Sequence, residues 1–339
     1  MNNNALIQVE NLTREFKLAQ GKEGFAGSIY NLFSRKHTII KAVDNISFSI
    51  NSGELVGYVG ENGAGKSTTI KMLTGILNPT SGHVKVAGVV PYEDRISNAF
   101  NIGVVFGQRT QLWWDLPVRD SFDLLRSIYR IPENKFRSNY KELADALGLD
   151  SLLHVPVRKL SLGQRMRCDL AASLLHGPKI LYLDEPTIGL DLIAKDNVRQ
   201  ILKKINSLNG VTIILTTHDM DDIEALCDRI IIIDEGQIAY VGTMDQLKAD
   251  HVRHKILEVE FHDYNPELTS LPMLTVIKSE ANKKWLRFDQ GGASIHEVIS
   301  TLFKDYCVKD ISIHEPKVED VVKSLYENGP ASFSQTVLK

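Results

Sequence analysis

A glycine-rich stretch near residue 60 has the residue types and spacing that bind phosphate. Residues 60–67 read Gly-Glu-Asn-Gly-Ala-Gly-Lys-Ser, which satisfies the pattern G-x-x-x-x-G-K-[ST] in full. Glycines let backbone N–H groups approach phosphate oxygens, and a helix that starts here adds its positive end. Lys66 is expected to reach the β- and γ-phosphates, and the Ser67 hydroxyl to ligate Mg²⁺. The predicted nucleotide-binding residues are Gly60, Glu61, Asn62, Gly63, Ala64, Gly65, Lys66, Ser67 and Thr68.

Two adjacent carboxylates, Asp184 and Glu185, follow the apolar run at residues 179–183. A strand buried on both faces tolerates charge only at its carboxyl end, which is where parallel sheets bind ligands. Asp184 is suited to hold Mg²⁺, and Glu185 to act as the base that orients an attacking water. An Asp-Glu pair alone could be a solvated turn, but the glycine-rich loop upstream favours the catalytic interpretation.

Ser161 stands where a helical pattern begins, one that runs to Leu175. A serine in this place caps the helix and leaves N–H groups and positive potential at its start. The residues alone allow two interpretations, a well-capped helix or a second phosphate-binding end.

The hydrophobic pattern predicts the elements that position these residues. The predicted strands before residue 110 are 7–16, 38–50 and 54–60, and a helix over residues 66–73 follows the glycine-rich loop. Residues 117–153 have a helical pattern without strand-like alternation. Beyond them, apolar runs alternate with helices, at residues 180–183, 211–216 and 230–233. That alternation is typical of a parallel sheet wound by helices.

The pattern changes near Met244 and predicts a second, smaller α+β domain of ferredoxin-like type. Its predicted strands are residues 255–261, 274–278, 284–288 and 309–314, and its predicted helices are residues 294–306 and 318–326. We therefore expect a nucleotide-binding domain over residues 1–244, with a helical subdomain at about 109–160, and an accessory domain over residues 245–339.

Composition limits the class of protein. The 339 residues are 43% hydrophobic and 24% charged, with a net charge of −3, so no basic field predicts a nucleic-acid partner. The scattered cysteines, Cys168, Cys227 and Cys307, are expected to be reduced thiols in the core. No apolar run has the length of a membrane-spanning helix, and the N-terminus lacks a signal-peptide pattern. Any membrane part is expected to come from another chain.

Taken together, the motifs resemble those of ABC (ATP-binding cassette) transporter ATPases. The glycine-rich loop, residues 161–164, the Asp184–Glu185 pair, and residues 189–191 and 217–219 occur in that family's order and at its spacing, over roughly residues 5–245. The resemblance implies an α/β fold of the P-loop NTPase class, with a RecA-like core, an antiparallel β subdomain and a helical subdomain. It also implies ATP and Mg²⁺ as cofactors, and ATP hydrolysis coupled to transport.

In that family two cassettes meet head to tail, and the signature helix of one caps the γ-phosphate held by the other. The resemblance therefore places Ser161, Gly163 and Gln164 at the partner's nucleotide, and Asp191 at the seam between cassettes. Leu162 departs from the family, which has glycine there. The loss of backbone freedom at that position affects the expected hydrolysis rate more than nucleotide binding.

Three further roles follow from the resemblance. His218 is expected to contact the γ-phosphate and position Glu185. Gln108 is expected to touch Mg²⁺ or water and to link the site to the membrane partner. Phe16 matches the aromatic that stacks on adenine, with Tyr30 as the competing candidate.

The resemblance is greatest to ATP-binding subunits of type-2 ABC exporters, the group that includes drug and antibiotic exporters. It implies a transmembrane permease subunit and a second cassette, a copy or a paralogue, with the chain peripheral at the cytoplasmic face of the cell membrane. The rivals are an ABC-class ATPase acting on ribosomes or nucleic acid, an importer ATPase, and a polysaccharide exporter subunit. The transported substrate is not encoded in this chain.

Two segments allow two interpretations each. Residues 25–33 place apolar side chains on one helical face, which fits either an insertion folded onto its own domain or an element meeting lipid or a membrane partner. Trp113 and Trp114 are expected to pack the helical subdomain against the core, with a groove for a coupling helix of the membrane subunit as the alternative.

Overall fold

The structure, a computed structural model, describes residues 5–19, 37–107, 109–251, 254–262, 268, 274–289, 294–314, 318, 319 and 321–323. The chain divides into two units, the first reaching Val241 and the second starting at Gly242. Gln108 and residues 25–33 lie outside the described residues. No helix among the described residues is long and apolar enough to cross a membrane.

The first half of the first unit contains five strands and four longer helices. In chain order they are β1 (Ile7–Ala19), β2 (His37–Ile50), β3 (Leu55–Val59), α1 (Lys66–Leu73), β4 (Ser81–Val86), α2 (Arg95–Asn101), β5 (Ile102–Phe106), α3 (Val118–Ile128) and α4 (Glu133–Leu147). The predictions for the strands at 7–16, 38–50 and 54–60 and for the helix at 66–73 are confirmed to within a few residues.

The second half of the unit continues the alternation of helices and strands. The elements are α5 (Leu162–Leu174), β6 (Ile180–Asp184), α6 (Leu192–Asn209), β7 (Thr212–Thr217), α7 (Met220–Leu226), β8 (Arg229–Asp234) and β9 (Gln237–Thr243), the last crossing into the second unit. Strands β4, β5 and β9 were not predicted from the sequence. A short 3₁₀ turn, Val157–Lys159, precedes α5.

The first unit contains two sheets. Strands β2, β1 and β4 make an antiparallel sheet, in which Ile7 pairs with both Ile50 and Val86. A six-stranded sheet has the order β5-β6-β7-β3-β8-β9, and the pairs from β5 to β8 are parallel. Strands β3 and β7 are buried along their whole length, so the sheet is covered on both faces.

The parallel strands end at one edge of the sheet, and that arrangement positions the site. The carboxyl end of β3 leads into the glycine-rich loop, and β6 and β7 end in register with Asp184 opposite Thr216. Strand β9 closes the far edge through Glu235 and Gly236, whose φ angles of 44° and 81° fit the tight turn between antiparallel strands. The expected α/β fold with a RecA-like core, an antiparallel sheet and a helical region is confirmed.

The helical region is held by buried aromatic and aliphatic side chains. Phe122 of α3 meets Tyr140 of α4 edge to face, with ring centroids 6.2 Å apart. Phe136 and Leu143 of α4 are buried as well. Each fully buried side chain of this size contributes roughly 1.5–3 kcal/mol of transfer free energy.

The second unit is a four-stranded sheet with helices. After α8 (Met244–His251), its elements are β10 (His254–Phe261), β11 (Leu274–Glu280), β12 (Lys283–Asp289), α9 (Ile295–Asp305) and β13 (Val308–His314). The strand order is β11-β12-β10-β13 with antiparallel neighbours. The core consists of Leu257, Val259, Phe261, Leu286, Phe288, Val298 and Leu302. Most of the helix predicted at residues 318–326 lies outside the described residues.

The cysteine prediction needs one correction. Cys168 and Cys227 are buried, as expected, but Cys307 is exposed. Cys307 lies in the short connection between α9 and β13, outside both elements.

Candidate functional site

The glycine-rich loop between β3 and α1 has a backbone path that requires glycine at two positions. A Cβ at Gly60 would lie 2.4 Å from the carbonyl oxygen of Ile233, and a Cβ at Gly65 would lie 2.4 Å from that of Ala42. Gly65 also has a φ of 108°. Gly63, at φ +90°, faces open space, so nothing of the protein lies within 4 Å where a side chain would extend. The loop is therefore fixed to the core on one side and open on the other.

Lys66 lies within this loop. Its Nζ donates to the carbonyl oxygens of Gly60 and Glu61, at 2.7 and 3.0 Å. Burial lowers the pKa of the Lys66 ammonium, and the charges of Glu185, Asp184 and Glu61 oppose that shift. The carboxylates at the end of β6 and that of Glu61 therefore favour the charged form, which phosphate binding needs.

Asp184 and Ser67 come together across the strand ends. The Ser67 hydroxyl lies 3.4 Å from Oδ2 of Asp184, and the Thr216 hydroxyl donates to Oδ1 at 2.5 Å. Hydroxyl and carboxylate oxygens are the ligands that Mg²⁺ takes, usually alongside the phosphates of a substrate. The residues present therefore fit this ion. Thr216 was missed by sequence reasoning, although its place at the end of the strand before His218 was a usable signal.

Glu185 and His218 form a close pair beside this carboxylate. Nδ1 of His218 lies 2.8 Å from Oε2 of Glu185. Glu185 has a φ of 55°, uncommon for a residue with a side chain, and its N–H donates to the carbonyl of Thr216 at 2.9 Å. Backbone conformations of this kind concentrate at functional sites.

Gly107, at the end of β5, supports the unusual backbone of Glu185. Its N–H donates to the carbonyl of Asp184 at 2.7 Å. A Cβ at this position would lie 1.9 Å from the carbonyl oxygen of Glu185, so no other residue fits without a shift of the backbone. Gln108 is the next residue along the chain and lies outside the described residues.

Ser161 caps α5 as predicted. Its hydroxyl accepts from the N–H of Gln164 at 3.2 Å, and the Gln164 side chain accepts from the N–H of Ser161 at 2.9 Å. Such a reciprocal capping box is worth about 1 kcal/mol to the helix. No hydrogen bond or ion pair joins Ser161, Gly163 or Gln164 to residues 60–67 within the described part of the chain.

The start of α5 instead adjoins the loop before α6. A Cβ at Gly189 would lie 3.2 Å from Cδ2 of Leu162, and a Cβ at Gly163 would lie 3.4 Å from the Cβ of Ala194. Asp191 caps α6, and its carboxylate accepts from the N–H of Ala194 at 2.8 Å. Leu162, the departure from the family pattern, therefore lies over Gly189.

Phe16 lies on β1 with its ring half-buried. The Arg14 guanidinium covers one ring face, with its carbon 4.8 Å from the centroid. Among the described residues, no hydrogen bond or ring contact joins Phe16 to the glycine-rich loop, and Tyr30 lies outside the described residues.

Trp113 and Trp114 are not core residues. Their side chains are 38% and 50% exposed, so the expectation that they pack the helical region against the core is wrong. Their backbone is nevertheless fixed, because Trp113 N–H donates to Ser121 Oγ at 3.1 Å and Arg158 N–H donates to the Trp114 carbonyl at 3.0 Å. The Arg165 guanidinium lies 5.6 Å from the centre of the Trp114 ring. The fixed backbone displays two aromatic rings to solvent.

Sequence reasoning also missed a buried ion pair that ties α6 to α7. Asp222, with no exposed surface, receives the Arg199 side chain at 2.6 and 2.7 Å and the hydroxyl of Thr187. Lys195 pairs with Asp219 at 2.5 Å, next to His218. These contacts connect the helix that follows Asp191 with the segment that carries the site histidine.

Fold and site together define a P-loop protein that binds and hydrolyses ATP. The ABC transporter family profile matches residues 43–188. Two curated relatives cover most of the chain. The linearmycin resistance ATP-binding protein LnrL of Bacillus subtilis is 29% identical over 297 residues, 86% of this chain and 94% of its own length. The methionine import ATP-binding protein MetN of Halalkalibacterium halodurans is 30% identical over 302 residues, 88% of each chain.

Solved structures agree with this result. CbiO1 from Clostridium perfringens, part of the ABC transporter complex cbiONQ, superposes with a TM-score of 0.60 at 27% identity, over 73% of this chain and 92% of that chain. The cassette MJ0796, as a dimer in a post-hydrolysis state with ADP and Pi, gives 0.57 at 26% identity, over 70% of this chain and 98% of that one. The chain belongs to the ABC transporter ATP-binding protein family. It is an ATPase subunit of a transporter.

Proposed function

We propose that this ATPase energises export through a separate membrane subunit. The observation that carries the proposal is the fixed, solvent-facing aromatic surface of Trp113 and Trp114, displayed just after the Gln108 segment. Large exposed aromatic side chains on a rigid backbone are typical anchors of a protein interface. The resistance protein LnrL, similar over both units of this chain, supports the outward direction.

The proposed chemistry is an in-line transfer of the γ-phosphoryl group to water. Residues 60–68 would hold the phosphates, with Lys66 at the β- and γ-oxygens. Ser67, Asp184 and Gln108 would hold Mg²⁺, which neutralises charge that develops on the phosphate oxygens. Glu185 would orient the attacking water and take its proton, and His218, 2.8 Å from Glu185, would fix that carboxylate and reach the γ-phosphate. Phe16 would stack on adenine.

A second cassette, a copy or a paralogue, is proposed to complete the site. The capped start of α5, with Ser161, Gly163 and Gln164, is oriented by its own capping box and by the Asp191 loop. Beyond Asp191, Leu192 and Ile193 expose most of their apolar side chains. A facing cassette would supply the phosphate that this helix start binds, and would cover these two residues.

The membrane partner is proposed to dock along α3. Trp113 and Trp114 adjoin the start of this helix, because Trp113 binds Ser121. At its other end, Tyr129 meets exposed Phe100 of α2 edge to face, with centroids 6.0 Å apart. A membrane subunit bound here would place the chain peripherally at the cytoplasmic face of the membrane.

Docking can be tested separately from ATP hydrolysis. Trp114→Ala should keep ATPase activity in the purified chain and lose transport in cells, because the ring is exposed and lies outside the proposed nucleotide site. The matched control is Ile76→Ala, which also removes an exposed apolar side chain. A Trp114→Ala protein that transports at the wild-type rate would remove this surface from the partner interface.

Import is the second candidate, because the methionine importer MetN is similar over 88% of this chain. The direction is testable in cells that carry either wild type or Glu185→Gln. Export predicts that the variant raises intracellular retention of amphipathic antibiotics and leaves uptake of labelled methionine unchanged. Lower methionine uptake with unchanged antibiotic retention would favour import and overturn the proposed direction.

A further inference from the structure

A buried carboxylate on α5 faces the chain segment that follows Gln108. Asp169 is 4% exposed and lies two helical turns beyond the Ser161 cap. Its Oδ1 accepts from the Thr110 hydroxyl at 2.8 Å and from the Gln111 N–H at 3.1 Å. The Gln111 side chain returns a bond to the Asp169 carbonyl at 2.9 Å. One residue of the helix thus holds three groups of the segment.

These bonds set the path of the segment as well as its position. The Thr110 hydroxyl also accepts from the N–H of Leu112 at 3.1 Å, and the Leu112 side chain is buried. Trp113 follows directly and is fixed by Ser121. From Thr110 to Trp113, each residue is therefore bound to α5, to its neighbour or to the start of α3.

In the described part of the chain, the side-chain hydrogen bonds of this carboxylate all go to residues 110 and 111. The groups that face it from the segment are uncharged, the Thr110 hydroxyl and the Gln111 N–H, and Arg165, one turn earlier on its own helix, is the charged group that acts on it. Burial raises the pKa of Asp169 to about 6, although these three partners act in the opposite direction. Burying a carboxylate costs desolvation free energy, and an apolar side chain would fill the same space without that cost. The carboxylate is therefore explained by its hydrogen bonds to the segment.

We propose that Asp169 is a positioning residue that fastens residues 110–112 to α5. The segment that follows Gln108, with the Trp113–Trp114 surface, thereby keeps a fixed position relative to the start of α5 at Ser161. A change in the orientation of α5 is then passed to that segment through side-chain hydrogen bonds. The effect on turnover rests on the proposed role of Gln108, whereas the position of the tryptophans does not depend on it.

The test uses the full chain in a Trp285→Phe background, so that the emission comes from Trp113 and Trp114. Asp169→Ala leaves the Thr110 hydroxyl and the Gln111 N–H without their acceptor. We expect greater acrylamide quenching of these tryptophans, and a kcat for ATP reduced about tenfold with little change in KM. Asp169→Asn retains the accepting oxygen and should restore both values.

Ser173→Ala is the control on the same helix, since Ser173 is also buried and its hydroxyl donates to the Leu170 carbonyl of its own helix at 2.8 Å. It should change neither quenching nor kcat. If Asp169→Ala does not fold, Thr110→Val removes one bond from the other side and should shift both readouts in the same direction. Wild-type quenching in folded Asp169→Ala or in Thr110→Val would overturn the proposal. Altered quenching with wild-type kcat would leave the fastening intact and contradict the proposed role of Gln108.

Discussion

At the scale of single residues, the pair of Glu185 and His218 is the most informative contact in the molecule. The two side chains are distant in sequence, and strands β6 and β7 bring them to 2.8 Å. The unusual φ of Glu185 and the close approach of Gly107 constrain its backbone, and His218 contacts its carboxylate. A restrained base favours catalysis, because less conformational entropy is lost when it orients the attacking water.

The Glu185→Gln variant tests this role. The amide keeps the shape of the side chain but cannot accept a proton, so we expect kcat to fall by about 10²–10⁴-fold with ATP binding retained. ATP turnover and equilibrium binding of a labelled ATP measure the two effects. Glu93→Gln, at an exposed position, is the control and should behave as wild type. Wild-type turnover in Glu185→Gln would exclude this residue as the base.

Asp169 makes a prediction about stability and pH. Because its folded pKa of about 6 lies above the unfolded value of 3.8, the folded protein binds more protons between these values, and stability from this group falls as pH rises through them. The loss amounts to roughly 3 kcal/mol. Urea denaturation at pH 4.5 and at pH 7 spans about 2 kcal/mol of this loss, which wild type should show and Asp169→Asn should not.

His176 gives the opposite pH dependence of stability, and its contribution must be separated from that of Asp169. Burial lowers the pKa of His176 from its ordinary value of 6.5 to about 4, so its contribution to stability is present above pH 6.5 and is lost as pH falls toward 4. Wild type and Asp169→Asn share this histidine, so the difference between the two proteins isolates Asp169. An identical pH dependence in both would refute the assignment.

Most residues of the site follow from sequence, and those that do not share a physical reason. Ser67, Asp184 and Glu185 are recognisable because phosphate and metal binding dictate residue type and spacing. Thr216, Gly107 and Asp169 act through strand register, a close backbone approach and a buried hydrogen bond. These features depend on which elements become neighbours in space, which spacing along the chain does not encode.

At the scale of elements, α5 and α9 offer a matched pair of capping boxes. Ser161 with Gln164 caps α5, and Ser294 with Glu297 caps α9 in the second unit. Each serine satisfies one otherwise free N–H group of its own helix. The two helices differ in what their starts are proposed to bind, since α5 alone is assigned to phosphate.

Replacement of either serine by alanine should therefore separate stability from catalysis. Ser161→Ala and Ser294→Ala should each cost about 1 kcal/mol in the unfolding free energy of their own unit. Only Ser161→Ala should also lower ATP turnover. Unfolding followed by circular dichroism, together with steady-state ATPase assays, provides the comparison. A drop in turnover of the same size in Ser294→Ala would show that the loss reflects general destabilisation.

The buried pair between α6 and α7 makes a prediction about stability. Arg199→Ala leaves the Asp222 carboxylate, which has no exposed surface, without its cation. Breaking such a pair from one side costs roughly 3 kcal/mol. Chemical denaturation should show this loss, whereas Lys203→Ala, exposed on the same helix, should stay within about 0.5 kcal/mol of wild type. Equal stability of the two variants would show that Asp222 is compensated elsewhere.

Helices and strands were predictable where the hydrophobic periodicity and the capping or turn residues indicate the same element. Strands β1 and β2, helix α1 and the cap of α5 carry both signals. Strand β4 shows only two buried side chains among exposed ones, and β5 is a five-residue run directly after α2. Short strands with a weak period gain their structure from neighbouring strands, so the sequence alone does not reveal them.

At the scale of the whole molecule, three surfaces of the first unit have distinct proposed roles. The glycine-rich loop and the carboxyl ends of β6 and β7 are proposed to form the ATPase site. The start of α5 and the Asp191 loop are proposed to face a second cassette. The Trp113–Trp114 surface is proposed to face a membrane subunit. The first surface would hydrolyse ATP. The other two would couple that hydrolysis to movement of a substrate through the membrane subunit.

The central claim is that this ATPase works on a membrane protein. Affinity purification of the tagged chain from gently solubilised membranes, with identification of what is retained, tests it most directly. The account predicts a multi-spanning protein retained by wild type and by Ile76→Ala, and lost in folded, ATPase-active Trp114→Ala. Recovery with ribosomes or nucleic acid, and with no membrane protein in any of the three preparations, would contradict the account while leaving the ATPase assignment intact.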